Sequence, residues 1–171
     1  MEFTLNKQKL IEAFVYIATK AQEVDKFHAG KILYLAEFNH LRKYGRPITG
    51  DTYIAMEYGP VPSCGYDMLK NVAKGKDRGV LTLIPDKKYD TFRAARDPDL
   101  SYLSKTDIEE LDEAIKNWAN ESFGRISDET HKHKAWSNVA ENEKISYEDM
   151  LDGVDAEIIE EAREFSAYGI L

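Results

Sequence analysis

The sequence predicts a mainly α fold of the α+β class: a single compact helical domain around a central buried helix, with a small antiparallel β-sheet. Three observations support this prediction. Residues 32–41 are apolar on nearly every side of a helix, which indicates neighbours in several directions. Two later segments each carry one apolar stripe, as helices that cover a core do. Short β-branched and aromatic runs, bounded by Gly and Pro, are typical of strands.

Two helices are predicted at the start of the chain. Asn6 can cap the first, over residues 7–22, where apolar side chains recur at intervals of three and four. Asp25 can cap the central helix, which is expected to end near Tyr44. Gly45 follows there, and glycine adopts the positive φ of a helix C-terminus at low cost.

A strand and a third helix should follow a loop rich in glycine. Residues 53–58 have the composition of a strand, and Pro60 and Pro62 are expected to end it because neither can donate to a ladder. Ser63 is expected to cap the next helix, since its hydroxyl can accept from a free amide of the first turn. That helix should stop in the polar, glycine-bearing run 74–79.

The middle of the chain predicts a β-hairpin. Residues 80–84 are rich in β-forming types, Pro85 and Asp86 are typical of a turn, and residues 90–95 can return as a second strand. We expect these strands to join residues 53–58 in one small antiparallel sheet.

The clearest amphipathic helix begins at Ser104, which resembles a capping box with Asp107. Its apolar stripe is expected to face the core. Glu109, Glu110 and Glu113 are expected to face outward, where they form one candidate surface for a basic protein partner.

The C-terminal part predicts two short elements and one longer helix. A short helix is expected to start at Ser127 or Asp128 and to end at His131. Residues 134–143 should be irregular, and Ser146 repeats the capping pattern. A last helix follows Asp155 and has an apolar face towards the core and an acidic face towards solvent.

Length and composition bound the class of protein. A chain of 171 residues is of single-domain size, and its one cysteine excludes an intrachain disulfide. The N-terminus has no basic segment followed by an apolar run, and no segment has eighteen uninterrupted apolar residues. We therefore expect a cytoplasmic protein with no membrane partner.

The charge of −8 is distributed unevenly. Residues 1–96 contain 16 Lys and Arg against 11 Asp and Glu, whereas residues 97–171 contain 7 against 20. Such asymmetry reflects either solvated helix faces or a surface for a basic partner. The acidic charge argues against contact of the C-terminal half with nucleic acid, because Lys and Arg provide the affinity for phosphate.

One pair of side chains has metal-ligand spacing. Glu37 and His40 form an E-x-x-H pair, which di-iron bundles use twice together with two further glutamates. The nearest second candidate, Asp128 with His131, has the wrong carboxylate. We therefore expect Glu37, His40 and Asp51 to form a structural, metal-free polar cluster that fixes the following loop.

No motif proposes a reaction. The sequence contains no Gly-Lys-Ser/Thr phosphate loop, and Cys64 has no nearby sequence cue for a catalytic partner. The sequence thus predicts a binding module without enzymatic activity or a cofactor. Tyr53, Tyr58 and Pro60 belong either to the core or to a second candidate protein-binding patch.

Several of these elements together resemble the signature of the Panacea domain, the SocA-like antitoxin family. The matching elements, in order, are the K-I-L-Y-L-A helix with Glu37 and His40, the turn Lys43-Tyr44-Gly45, the run from Arg46 to Asp51, and the run from Tyr58 to Ser63. The resemblance covers residues 26–73, with weaker similarity over 104–120 and 145–149, inside a predicted single domain of residues 1–171.

The resemblance implies an antitoxin of a bacterial or phage toxin-antitoxin pair, which neutralises a cognate protein toxin by direct binding. The SocA-like member also acts as an adaptor that delivers its toxin to a protease of the AAA+ class. Many members carry an N-terminal helix-turn-helix, whereas this sequence begins almost at once with the Panacea-like region, so we expect DNA binding to be weak and non-specific, without direct binding to an operator. A DNA-linked regulator or a phage-associated accessory protein is the alternative, and the oligomeric state is left open.

Overall fold

The computed structural model describes residues 1–77 and 79–171. Within them the chain forms eight α-helices and two three-stranded antiparallel sheets, which confirms the predicted mainly helical α+β class. The helices are α1 (Lys7–Ala21), α2 (Lys26–Tyr44), α3 (Ser63–Ala73), α4 (Lys105–Trp118), α5 (Phe123–His131), α6 (Lys134–Ser137), α7 (Tyr147–Met150) and α8 (Ala156–Tyr168). The strands are β1 (Val24–Asp25), β2 (Tyr53–Met56), β3 (Gly59–Pro62), β4 (Leu81–Leu83), β5 (Thr91–Ala94) and β6 (Lys144–Ile145).

Helix α2 lies at the centre of the fold. It packs against α1, α3, α4, α5, α8 and β3, and its Ile32, Leu33 and Tyr34 are fully buried. The Asp25 carboxylate accepts from the His28 amide at the start of the helix, and Gly45 ends it with φ +65°. The apolar residues on all sides of this helix therefore correspond to neighbours on all sides.

The strands form two sheets instead of the predicted one. In one sheet β5 pairs with β1 and β4, and in the other β2 pairs with β3 and β6. The partner strands β1 and β6 have two residues each, which is too short for a periodic sequence signal. Assigning β2 to the sheet of β4 and β5 was therefore wrong.

The prolines do not stop the chain from forming a strand. Residues 59–62 form β3, an edge strand in which Ala55 faces Pro60 and Tyr53 faces Pro62. A proline is tolerated at an edge because its missing N–H is not needed there by a second neighbour. The predicted strand of residues 53–58 is thus the first half of a hairpin with a two-residue tip, Glu57 and Tyr58.

Three predicted boundaries in the helices were also wrong. Ser63 is the first helical residue of α3, and Pro62 occupies the N-cap position that was predicted for Ser63. Helix α5 begins at Phe123 instead of residue 127, because Ser122 caps it by accepting from the Arg125 amide. The segment 134–143, predicted to be irregular, begins with α6.

The predicted polar run 74–79 includes position 78, which lies outside the described residues. Among those described, no helix is long and apolar enough to cross a membrane.

Candidate functional site

The loop after α2 is fixed by a buried carboxylate of that helix. Glu37 Oε1 accepts hydrogen bonds from the backbone amide of Thr49, at 2.8 Å, and from the Thr49 hydroxyl. The same hydroxyl accepts from the amide of Asp51 at 3.3 Å. Glu37 and Asp51 are therefore joined through Thr49 instead of touching directly.

Asp51 caps helix α3 across the intervening hairpin. Its carboxylate accepts from the backbone amides of Thr52, Cys64 and Gly65 at 2.7, 3.1 and 2.8 Å. The last two belong to the first turn of α3, whose amides have no partner within the helix. The capping role that the sequence suggested for Ser63 thus belongs to Asp51, twelve positions earlier in the chain.

The charge state of Glu37 reflects its complete burial. Burial raises the pKa of this carboxyl to about 7, although the Thr49 hydrogen bonds act in the opposite direction. Among the described residues, its Oε2 atom has no hydrogen-bond partner, and neither has the buried hydroxyl of Tyr53. Among residues 1–77 and 79–171, no three His, Cys, Asp or Glu side chains are grouped to hold a metal.

His40 fixes the other end of the same loop. Its Nδ1 lies 2.8 Å from the carbonyl oxygen of Arg46, and its Nε2 lies 2.9 Å from the Thr106 hydroxyl. Because a carbonyl only accepts, Nδ1 carries the proton and Nε2 accepts from Thr106. Burial lowers the pKa of His40 to about 4, so the ring is neutral at pH 7.

Next to His40 lies a buried ionic cluster. The Asp107 carboxylate is 2.7 Å from Lys9 Nζ and 3.0 Å from Arg46 Nη1, and it also accepts from the Ser104 amide at 2.8 Å. Burial alone would raise the pKa of Asp107, but the Lys9 hydrogen bond and the charges of Lys9 and Arg46 outweigh it and hold that pKa below its usual value. His40 Nε2 lies 3.3 Å from Asp107 Oδ1. Because the His40 ring is neutral, this contact is not an ion pair.

The tip of the β2–β3 hairpin is held in place by side chains of α2 and α5. Gly59, the residue of β3 next to the tip, has φ +104°, and a Cβ there would lie 2.3 Å from the Thr130 hydroxyl and 3.0 Å from Lys31 Nζ. Lys31 Nζ donates to the Pro60 carbonyl at 2.7 Å, and the Ser127 hydroxyl donates to the Tyr58 carbonyl at 3.1 Å. Only glycine fits this position, because the conformation and the close approach both exclude a side chain.

The side chains of the hairpin tip lie among other aromatic rings. The Tyr58 and Phe123 rings pack edge to face, with their centroids 5.2 Å apart. The centroids of the Phe123 and Phe27 rings are 4.0 Å apart. On the other side, Trp136 stacks on His131 at 3.9 Å, and its indole N–H donates to the Met56 carbonyl at 3.0 Å.

A comparison with models of protein families identifies the family of the chain. The family described as Antitoxin SocA-like, Panacea domain, matches residues 30–137. The chain belongs to this family. No curated protein and no solved structure gave a match. The matched Panacea region begins in the first turns of α2 and ends with α6, so it includes the hairpin tip and each side chain that holds it.

Within the Panacea region, the structure changes the candidate patch of Tyr53, Tyr58 and Pro60. Tyr58 is half exposed, but Tyr53 and Pro60 are buried. Successive residues of β2 point to opposite faces of the sheet, and Tyr53 and Ala55 lie on the inner one. Of the three residues of this patch, only Tyr58 offers its ring to a partner.

The acidic face of α4 is also smaller than predicted. Glu109 and Glu113 are exposed, but Glu110 is buried, which corrects its outward assignment. Its carboxylate accepts from Lys43 Nζ of α2 at 2.6 Å. The packing of α4 along α2 covers a stripe wide enough to include this position.

Sequence reasoning missed four side chains of the Panacea hairpin region: Lys31, Met56, Phe123 and Trp136. Lys31 adjoins the apolar run of α2 and was therefore not singled out. A lysine beside such a run, with no acidic residue nearby to pair with it, is the sequence signal that could have identified it. Phe123 and Trp136 lie far from the hairpin in the chain, and only the packing of α5 and α6 brings them to its tip.

Lys31 provides a test of the hairpin support through its titration. Burial lowers the pKa of Lys31 from 10.5 to about 7. Between these values the unfolded chain binds more protons than the folded one, so the free energy of unfolding must rise with pH. We expect it to rise by about 1 kcal/mol per pH unit from pH 7 to 8.5 relative to Lys31→Met. Urea denaturation of both proteins across this range measures the difference.

The exposed Lys116→Met is the matched control for this prediction. It should follow the wild-type dependence on pH throughout the range. If Lys31→Met and the wild type gave parallel curves instead, the buried ammonium would not be titrating near neutral pH.

Proposed function

We propose that this protein is an antitoxin that neutralises a cognate protein toxin by forming a stoichiometric complex with it. The observation that carries the proposal is the match of residues 30–137 to a family described as antitoxins. The family does not identify the toxin, and the structure supplies the reasons for preferring binding over chemistry.

Three buried polar side chains hold parts of the fold in place. Glu37, His40 and Asp107 make hydrogen bonds or ion pairs with loop backbone and neighbouring side chains. Such a network positions a loop and a hairpin, which is a structural task. It supports a role in which a preformed surface, and not a reacting group, acts on the toxin.

The single thiol is poorly suited to nucleophilic chemistry. The Cys64 residue is exposed, but partial desolvation of its thiol and the charge of Asp51 raise the pKa of this thiol above its usual value. A catalytic cysteine needs the opposite shift, because the thiolate is the nucleophile. Asp51 thus offsets the effect of the α3 N-terminus, which on its own would favour the thiolate.

Electrostatics favour a basic partner. The chain carries −8 overall, and the excess of acid lies in residues 97–171. A toxin that acts on tRNA or ribosomes needs a basic surface to approach phosphate. Opposite charge would then increase the rate at which antitoxin and toxin meet.

Co-expression with each neighbouring gene tests the proposal. We expect one neighbour to arrest growth when expressed alone, and growth to return when this protein is present. The two proteins should then co-purify by affinity and size-exclusion chromatography. A frameshifted copy of the antitoxin gene, which makes almost the same RNA without the protein, is the control.

The outcomes separate the mechanisms. Rescue with an intact complex supports sequestration. Rescue with loss of the toxin from the cell would instead indicate delivery to a protease. If no neighbour is toxic, the antitoxin role fails and a DNA-linked regulator or a phage-associated accessory protein becomes the better explanation.

A further inference from the structure

Large apolar side chains are exposed together around the β2–β3 hairpin tip. Met56, Tyr58 and Phe123 are 40, 50 and 45 % exposed, and Trp136 lies beside them, partly buried. Tyr, Trp and Met are enriched in protein interfaces, where a few such anchors provide most of the binding energy. A cluster of this kind marks an interaction site more strongly than scattered apolar residues do.

The backbone of the tip is pre-organised. The carbonyl groups of Met56, Tyr58 and Pro60 each accept a hydrogen bond from a different helix, by way of Trp136, Ser127 and Lys31 respectively. These donors belong to α6, α5 and α2. A rigid tip loses little conformational entropy on binding, so more of the contact energy appears as affinity.

The tip stands between two clefts. On one side Phe27, Tyr58, Tyr89 and Phe123 contribute to a cleft of about 680 Å³. On the other side Met56, Trp136 and Val139 line one of about 360 Å³, together with Glu57 and Glu141. An anchor side chain of a partner can enter either cleft while the partner backbone lies across the tip.

The charges around the tip are unbalanced towards acid. In the part of the chain that the structure describes, the exposed carboxylates of Glu57, Asp128 and Glu141 have no ion pair and no hydrogen bond. The nearby bases of α5 are already matched, because Arg125 pairs with Glu121 at 2.9 Å and Lys132 with Glu129 at 2.6 Å.

The opposite cleft adds little positive charge. Its Lys26 pairs with Asp90 at 3.0 Å, His28 pairs with Asp25 at 2.6 Å, and Lys88 lies over the Tyr89 ring. Among the described side chains exposed around the tip, the three unmatched carboxylates therefore face one ammonium without an acidic partner, that of Lys88. A partner that seats here with complementary charge carries a basic rim.

We propose that the hairpin-tip surface, formed by Met56, Glu57, Tyr58, Phe123, Trp136 and Glu141, is where the toxin binds, and that its occupant is a basic protein surface with an apolar or aromatic anchor. The inference rests on the proposed antitoxin function and deepens it. It places the contact at the N-terminal end of α2, beside Lys31. The exposed glutamates of α4 lie at the other end of α2, beside Lys43.

Binding of the neighbouring gene product that co-purifies with the wild-type protein tests the inference. Isothermal titration calorimetry should show that Tyr58→Ala and Phe123→Ala each raise the Kd by about 10- to 100-fold. Stopped-flow measurements should show that Glu57→Lys combined with Glu141→Lys lowers the association rate by about 10-fold at low salt, and less at high salt.

Matched controls lie at the other end of the molecule. Tyr102→Ala removes a tyrosine of similar exposure, and Glu109→Lys combined with Glu113→Lys reverses two exposed charges on α4. Each should leave the Kd within about 2-fold of the wild type, and thermal unfolding of every variant establishes that it is folded.

Each result decides between the hypotheses. A complex that the hairpin-tip variants leave unchanged, or that only the α4 variants weaken, would overturn the inference while the antitoxin role stands. Failure of the wild-type protein to bind any neighbouring product would overturn the proposed function, and the inference with it.

Discussion

Replacing Asp107 by alanine is expected to lower the free energy of unfolding by about 3 to 5 kcal/mol, the range for removing one partner of a buried ion pair. The variant leaves Lys9 and Arg46 beside each other without the carboxylate that balances them, and the Lys9 side chain is almost fully buried. It also removes the acceptor for the Ser104 amide at the start of α4. Urea denaturation at pH 7 measures the loss.

Two further variants isolate the role of the Asp107 charge. Glu109→Ala removes an exposed carboxylate from the same helix and should cost less than about 0.5 kcal/mol. Asp107→Asn keeps the shape of the side chain but not its charge. The depressed pKa of Asp107 stabilises the fold above the unfolded pKa of about 3.8, and this contribution is lost as pH falls through the folded value.

The stabilities of the wild type and Asp107→Asn should therefore converge below pH 4. A constant difference between them down to pH 2.5, or a loss of less than about 1 kcal/mol for Asp107→Ala at pH 7, would show that this carboxylate does not hold α1, α4 and the loop after α2 together.

Replacing Leu33 by alanine is the second change with a large expected effect, about 2 to 5 kcal/mol. Leu33 is fully buried on α2, which is surrounded by other elements that have little freedom to close the cavity. Chemical denaturation with a constant m-value is the appropriate measurement, since it separates stability from a change in the compactness of the unfolded chain.

Leu100→Ala is the matched control, because this leucine is half exposed. It should cost less than about 0.5 kcal/mol. Similar losses at the two positions would contradict the central placement of α2.

The sequence predicts the central helix well because the signal is local. Apolar residues on every side, Asp25 before the helix and Gly45 after it are all within the segment itself. The capping box of α4 is recognised for the same reason, since Ser104 and Asp107 are three positions apart. Local chemistry decides these elements before tertiary packing acts on them.

The sheets and the buried acids escape prediction because their partners are distant in sequence. Pro60 and Pro62 exclude a central strand, but they leave an edge strand open, and only the pairing with β2 decides. Glu110 is read as exposed from its charge, yet Lys43 of another helix supplies its partner. Asp51 likewise caps a helix that begins twelve residues later.

The candidate surface shows the same division. Tyr58 is recognisable beside a glycine-proline turn, whereas Phe123 and Trp136 come to it from α5 and α6. The sequence also places Tyr53 in the patch, because a short strand gives no sign of which face is inward until its neighbours are known.

Titration of a fixed amount of toxin with this protein tests stoichiometric neutralisation most directly. We expect the residual toxin activity to fall linearly and to reach zero at a fixed molar ratio, independent of the incubation time. Dissociation of the complex should return active toxin. Progressive loss of activity with a small fraction of that ratio, or toxin that stays inactive after separation, would contradict sequestration and show that this protein acts on the toxin chemically.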